Sequence, residues 1–437
     1  MINKFIIEDV RCFAEKQELE IRPLTFLVGE NSTGKSTVLG CFQAMHSLFS
    51  KDFRFGIDFN IEPYQMGAFA DIARKIVAPK KFVLGFKIQY DTDKESQVLV
   101  TFCEKKSSSE PIIENIKWIF HNGEIDVIRR KNKKDNPLSV DTTDQSYTKF
   151  MVRISVDIWD MHAFDINFLS FWFQDILFIN KKDKPSKAEG KAFSAFLEKH
   201  EYRELYWQMR KQKTYSIAPI RSKPKRTYDP IKETVASDGS EIPMFLKNLN
   251  MSNKQEWDNL KQALLSFGKT SGLFTDIKVR KLGKSASDPF QLQIKVKGPT
   301  TNLMDVGYGI SQVLPILVRI LTASNATFLM QQPEVHLHPK GQAELTSLLV
   351  NMIKDEDRKH SFIIETHSDY MIDRARIEIM RGKISPDDVS LIYMQPVRNK
   401  AKVHNISFDE QANMIGVPQG YRDFFLRERD ALLGFED

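Results

Sequence analysis

Leu24-Thr25-Phe26-Leu27-Val28 runs directly into Gly29-Glu30-Asn31-Ser32-Thr33-Gly34-Lys35-Ser36. An apolar, strand-like run followed by G-x-x-x-x-G-K-S reads as a strand feeding a phosphate loop, and Thr37-Val38-Leu39 open the helix behind it. The glycines let backbone N–H groups turn inward around phosphate oxygens, and the helix N-terminus adds partial positive charge. Lys35 is placed to reach the β- and γ-phosphates, and the Ser36 hydroxyl to sit on Mg²⁺. A Gly/Ser turn with a chance lysine fits less well, because strand, motif and helix all fall where the chemistry needs them. The expectation is a nucleoside triphosphate site.

The chain has 437 residues, enough for more than one lobe. Its hydrophobic fraction of 41% and charged fraction of 27% are those of an ordinary globular protein. No apolar run approaches the roughly 20 residues of a membrane span, so no membrane partner is expected. Met1-Ile2-Asn3-Lys4-Phe5 enters a strand-like segment without a signal peptide. Cys12, Cys41 and Cys103 lack metal-type spacing and read as reduced thiols of a cytoplasmic protein. A net charge of +6 permits nucleic acid or an acidic partner, and equally a lysine-rich solvated surface.

Strand-like segments at Phe5-Ile6-Ile7, Phe82 to Tyr90 and Gln97 to Phe102, with helical spacing from Thr37 to Phe49, outline an N-terminal α/β lobe over 1–104 that carries the phosphate loop. Residues 105–272 read as an inserted strand and helical region. It holds a strand at Glu124 to Ile128, a polar stretch after Pro137, an aromatic core run from Phe164 to Phe178, and helices at Ala188 to Lys211, Ile242 to Leu249 and Lys254 to Phe267. Two basic loops, Arg129 to Lys134 and Arg221 to Arg226, fit either phosphate contact or solvated turns. From 273 to 437 α/β character returns as a C-terminal lobe. Strands are expected at Ile277 to Leu282, Phe290 to Val296, Ala326 to Met330, Ser361 to Glu365 and Val389 to Met394, and helices at Ser311 to Leu321 and Gly341 to Ile353. No heptad run predicts a long coiled coil.

Three C-terminal segments fit the same chemistry. Asp305-Val306-Gly307-Tyr308-Gly309-Ile310-Ser311-Gln312 is a Gly-rich turn opening a helix. Phe328-Leu329-Met330-Gln331-Gln332-Pro333-Glu334-Val335-His336-Leu337-His338-Pro339 is a strand ending in polar residues at the edge where α/β sheets place their sites. Phe362-Ile363-Ile364-Glu365-Thr366-His367-Ser368-Asp369 is a strand that delivers a histidine to the same edge.

In that order, these motifs resemble the ABC-type ATPases related to the Rad50, SMC and RecF proteins. More narrowly they resemble prokaryotic ATPases whose Walker B reads E-E/Q-P-E-x-H-L-H-P, many of which stand beside a nuclease in antiphage defence, as in Septu-type systems. The resemblance covers about 1–90 and 273–437. In the middle it rests only on Pro219 to Pro224 and on Asp238-Gly239-Ser240-Glu241. Tyr421-Arg422-Asp423-Phe424-Phe425 is also similar to the ending of such ATPases. It implies an α/β, ABC-type P-loop head, a mixed sheet flanked by helices, with an inserted α+β/helical region in place of a long coiled coil. It implies ATP and Mg²⁺ as cofactors, with Gly29, Asn31, Ser32, Thr33, Gly34, Lys35, Ser36 and Thr37 as Walker A. Gly307, Gly309, Ser311 and Gln312 take the signature position, and Gln65 the Q-loop position. Gln331 with Ser36 takes the metal position, Gln332 the general-base position, and His367 the switch position. It further implies a head-to-head homodimer in which each signature faces the other protomer's Walker A.

The departures from that pattern matter most. Amides stand at 331 and 332, where an acid would hold Mg²⁺ and another would polarise water. Loss of a general base alone removes roughly 10²–10⁴-fold in rate. Glu334 is a substitute base in principle, although two residues on it should point elsewhere along the loop. Tight nucleotide binding with slow or absent turnover is therefore expected, the alternative being that Gln331 is tolerated. Two functions follow. One is a nucleotide-set platform that regulates a partner nuclease, HNH-type in such systems, in antiphage defence. The other is an active DNA-dependent ATPase in repair or chromosome maintenance. No fused nuclease constellation is present, since Asp409, Glu410, Asp423 and Glu428 fit a solvated helical tail. An ABC transporter subunit is disfavoured by the missing L-S-G-G-Q signature.

Overall fold

The computed structural model describes residues 2–49, 57–75, 80–91, 94–105, 108–121, 123–129, 138–144, 147–154, 195, 211–230, 235–285, 287–421 and 423–433. The basic run from Arg130 to Lys134, the aromatic run 164–178, and the helix expected over 188–211, with Phe193, Phe196, Leu197 and Leu205, lie outside the described residues apart from positions 195 and 211.

The nucleotide-bearing sheet has seven strands. In spatial order these are β10 (Lys213–Ile217), β14 (Ala326–Gln331), β15 (Ser361–Glu365), β3 (Leu24–Gly29), β16 (Val389–Val397), β17 (Lys400–Phe408) and β18 (Met414–Ile415). The first five run parallel, β17 runs antiparallel to β16, and β18 runs antiparallel to β17. Its central strands are largely apolar and buried because both faces are covered. On β3 the alternation of a strand divides the side chains between two cores. Leu24, Phe26 and Val28 face one, and Leu27 faces the other.

Helix α1 (Lys35–Ser47) lies between this sheet and a second, eight-stranded one. The second sheet takes the order β2 (Gln17–Glu20), β1 (Ile2–Glu8), β4 (Lys81–Asp91), β5 (Lys94–Glu104), β6 (Pro111–Phe120), β7 (Gly123–Arg129), β9 (Tyr147–Ile154) and β8 (Leu138–Asp144). Phe42 of α1 packs edge-on to Phe5 at 5.4 Å and to Phe86 at 5.1 Å between ring centroids, and the same core takes in Leu329, Ile363 and Ile392 of the nucleotide sheet. Burying such a phenylalanine contributes about 1.5–3 kcal/mol, so this layer fixes α1, and hence the phosphate loop at its start.

The other face of the nucleotide sheet carries α2 (Ile242–Ser252), α3 (Lys254–Ser271), α4 (Tyr308–Thr322), α5 (Pro339–Lys354) and α6 (Asp369–Met380). A small antiparallel sheet, β11 (Asp276–Lys281), β12 (Phe290–Lys295) and β13 (Thr301–Asn302), joins the same core. Helix α7 (Asp423–Leu432) follows. The chain is thus the expected α/β fold, a mixed sheet flanked by helices. Among the described residues the longest helix is α3, with 18 residues.

Strand pairing crosses both expected boundaries. The lobe boundary at 104 falls inside the eight-stranded sheet, since β5 pairs directly with β6. Residues before 272 also belong with the C-terminal lobe, because β10 pairs with β14 and Trp257, Leu264 and Phe267 enter its core. The polar stretch after Pro137 forms the β8–β9 hairpin, and the region after Met394 adds β17 before any helix. The outer strands escape sequence patterning because charge pairs replace apolar ones. Glu124 joins Lys117 at 2.8 Å and Lys149 at 2.9 Å.

Candidate functional site

Strands β3, β14 and β15 end side by side, and their C-terminal ends deliver the candidate residues. Gly34, at φ +97, turns the loop into α1. A Cβ there would lie 2.7 Å from both Cys12 Sγ and the Phe13 ring, so only glycine fits. The Thr33 hydroxyl donates to Glu30 O at 2.8 Å and closes the loop, while Asn31 and Ser32 stay exposed. No side chain caps α1 and no acidic residue occupies its first turn, so its N–H groups and positive end are left for an anion.

Lys35, 4% exposed, donates to Gly29 O at 2.9 Å and Glu30 O at 2.6 Å. Burial lowers its pKa, and the Glu365 and Glu30 carboxylates pull it back. The ammonium is thereby parked over the loop on carbonyls that phosphate oxygens can replace. The Thr37 hydroxyl accepts from Arg11 Nη1 at 3.1 Å. Arg11 also donates to Met66 O and Asp71 O, tying α1 to the 64–71 segment. In that segment Gln65 is exposed and Tyr64 is buried.

Ser36 and Gln331, the residues expected at a metal, converge on a third side chain, Glu365. Parallel register sets Gln331 opposite Glu365. Ser36 Oγ donates to Glu365 Oε2 at 2.8 Å, and Gln331 Nε2 lies 3.5 Å from the same oxygen. Burial and the neighbouring Glu365 carboxylate raise the Tyr64 pKa well above its ordinary value, so the phenol is neutral. Glu365 was not singled out from sequence. Its signal was the last position of a buried strand beside a strand ending in glutamine.

Gln332 sits in the left-handed region at φ +44, its N–H donating to Glu365 O at 2.8 Å. Glu334 does not point away along the loop. It is buried and turned back, Oε1 accepting from the His367 backbone N–H at 2.9 Å. Burial pushes its carboxyl pKa up, against the His367 N–H bond and the Arg221 charge that hold it down. Glu334 therefore positions His367. The His367 ring is exposed, and partial burial, together with Lys35, lowers its pKa, favouring neutral imidazole beside the ammonium.

Arg221 was read as a residue of a basic loop able to reach phosphate. It is 1% exposed and reaches inward instead. Its Nε donates to Gln312 O at 3.1 Å, Nη1 donates to Pro219 O at 3.0 Å and approaches Gln332 O at 3.5 Å, and its N–H donates to Gln312 Oε1. Burial pulls its pKa down to about 10, leaving it charged. It braces the start of α4 against the Gln332 turn. Ser222 N–H reaches Asp238 O at 2.9 Å, so the two middle segments singled out from sequence meet. Arg226 forks onto Asp305 at 2.7 and 3.1 Å.

Of the signature candidates, Gly307 is exposed, whereas Ser311 and Gln312 are buried, Ser311 donating to Tyr308 O. Gly309 lets the turn approach the neighbouring loop, where a Cβ would lie 2.5 Å from His336 O. Tyr308 meets the His336 ring edge-on at 4.7 Å. This turn thus packs on the His336 end of the Gln331–His338 stretch, while the strand ends gather Lys35, Ser36, Gln331, Glu365 and His367.

Residues 1–372 match the profile of the family described as AAA ATPase domain. The chain belongs to this AAA ATPase domain family. Among solved structures it is similar to the SMC head domain from Thermotoga maritima, at 10% identity over 92% of this chain and 97% of that one, with a TM-score of 0.40. It is also similar to the Smc head domain of Pyrococcus furiosus bound to the C-terminal domain of ScpA, at 12% identity over 93% and 96%, with a TM-score of 0.44. No curated protein matches the sequence.

A cavity of about 270 Å³ opens beside the loop, bordered by Glu30, His367 and Asp369 and, beyond the matched residues, by Tyr393, Tyr421 and Asp423. Its three carboxylates would repel a polyphosphate. Among the described residues no group of three or more His, Cys, Asp or Glu could hold a metal by itself. A divalent cation here would share nucleotide oxygens with one or two protein ligands, the usual habit of Mg²⁺. Among the described residues no helix is long and apolar enough to cross a membrane.

Proposed function

We propose that this ATPase domain binds ATP with Mg²⁺ at the 29–37 loop and hydrolyses it slowly, so that ATP acts mainly as a conformational ligand. The observation that carries the reading is the pairing of an anion-ready loop with amides at Gln331 and Gln332, while Glu334 is committed to the His367 N–H. Lys35 and the α1 N-terminus would hold the phosphates, and Ser36 would face the cation. His367 is left to sense or orient the terminal phosphate. With no carboxylate among 331, 332 and 334 directed to a water, chemistry would lack its general base.

ATP would then set the balance between engaged and disengaged heads, with the exposed Gly307–Tyr308 front meeting the loop of a second copy. The motif resemblance extends the proposal to a head-to-head dimer that regulates a partner nuclease in antiphage defence, in a cytoplasmic setting. ATP binding and single-turnover hydrolysis, with Lys35→Ala as the blank, test it. Binding with intact ATP recovered supports the reading. Hydrolysis well above the blank, stimulated by DNA, would favour the DNA-dependent ATPase instead.

A further inference from the structure

We propose that the negative charge of the divalent-cation site is carried by Glu365 on β15, and that Gln331 on β14 is its neutral partner. This rests on the nucleotide-binding reading above. Gln331 and Glu365 are register partners at the ends of adjacent parallel strands, so their side chains leave the sheet on the same face. The phosphate-loop hydroxyl, Ser36 Oγ, meets Glu365 Oε2 at 2.8 Å, and the Gln331 amide approaches the same oxygen. Glu365 is only 6% exposed, yet it lies in the field of the Lys35 ammonium. A buried carboxylate costs several kcal/mol unless charge and hydrogen bonds offset it. Here one hydroxyl, one amide and one ammonium do so, and all belong to the loop or its neighbouring strand.

Of the other carboxylates near the loop, Glu30 and Asp423 border the neighbouring cavity, and two more sit on the strand-end turns. Glu334 accepts the His367 N–H, and Asp369 opens α6 along the cavity wall. The amide at 331 acquires a physical reason in this arrangement. A carboxylate there would sit beside Glu365 and repel it, whereas an amide donates to it. The charge has moved one strand over, and the amide is its complement.

The test measures affinity for a fluorescent ATP analogue with Mg²⁺ and with EDTA, and Mn²⁺ uptake by electron paramagnetic resonance in the presence of ATP. Glu365→Gln should abolish the Mg²⁺ enhancement, a loss of at least ~10-fold, and the bound Mn²⁺ signal, while affinity in EDTA holds. Lys35→Ala should weaken binding under both conditions. Adding Gln331→Glu to Glu365→Gln should restore Mg²⁺ dependence by returning a carboxylate to the pair. Should Glu365→Gln fail to fold, Glu365→Asp carries the test, its carboxylate withdrawn by one methylene and the enhancement reduced several-fold. An unchanged Mg²⁺ enhancement and Mn²⁺ signal in the folded Glu365 variant overturns the proposal. A wild-type chain that binds no nucleotide with or without Mg²⁺ would instead overturn the nucleotide reading, and this inference with it.

Discussion

The phosphate loop and the Gln331–His338 stretch end neighbouring parts of one sheet, but they are built to different standards of chemical completeness. The loop has its glycine at φ +97, its buried lysine and an uncapped helix start. Opposite it stand two amides, one glutamate turned inward and one buried arginine bracing the turn from behind. Binding is thus specified more fully than hydrolysis. The difference teaches that a loop with an anion-ready helix start can stand beside strand ends that carry amides in place of acids.

The largest expected effect lies on the braced side. Arg221→Met should cost about 3–5 kcal/mol in urea unfolding, because it strips the turn of its hydrogen bonds and leaves Glu334 without its countercharge. A loss below ~1 kcal/mol would show that the turn stands without the brace. Next comes the support behind the loop. His46 of α1 is buried with Nδ1 2.9 Å from Thr214 Oγ1, and burial lowers its pKa to about 4. A folded pKa below the unfolded value means the unfolded chain takes the proton more readily. Stability should therefore be full above about pH 6.5 and fall as pH drops toward 4, by up to about 3 kcal/mol. His46→Leu should flatten part of that slope in pH-dependent unfolding, and His360, also lowered by burial, should account for more of it.

On the loop itself, Lys35→Ala should weaken ATP by about 30–100-fold, the worth of one charge-assisted contact, as read by calorimetry. An affinity within threefold of wild type would break the equation of this loop with the phosphate site. Glycine substitutions sharpen the comparison at the smallest scale. Gly34→Ala should cost about 1–2 kcal/mol from the left-handed backbone alone, with further loss from the Phe13 contact. Gly307→Ala, with nothing within 4 Å of the added carbon, should stay within about 0.5 kcal/mol in thermal unfolding. If Gly307→Ala nevertheless lowers ATP-dependent self-association, the exposed front of the turn is where two heads meet.

What could be read from sequence follows the same divide. The loop, its strand and its helix were legible because their signals are local, contained in Leu24 to Leu39. The amides at 331 and 332 were equally plain. Glu365 was hidden because its meeting with Ser36 and Gln331 depends on strand register across 329 and 34 residues of chain. Arg221 misled because a basic, proline-interrupted run looks solvated until the fold closes Gln312 and Gln332 around it. Strands such as β6 and β17 were missed because each presents one polar face, which blurs the apolar alternation. Glu334 needed the turn at Gln332, whose left-handed backbone sends the chain back toward His367.

The central claim is that the amide at 332 holds turnover down while binding is intact. Single-turnover hydrolysis by wild type and by Gln332→Glu, at saturating ATP and Mg²⁺, tests it most directly. The account predicts that wild type retains bound ATP and that Gln332→Glu hydrolyses it at least ~10²-fold faster at similar affinity. Brisk hydrolysis by wild type, left unchanged by Gln332→Glu, would contradict it.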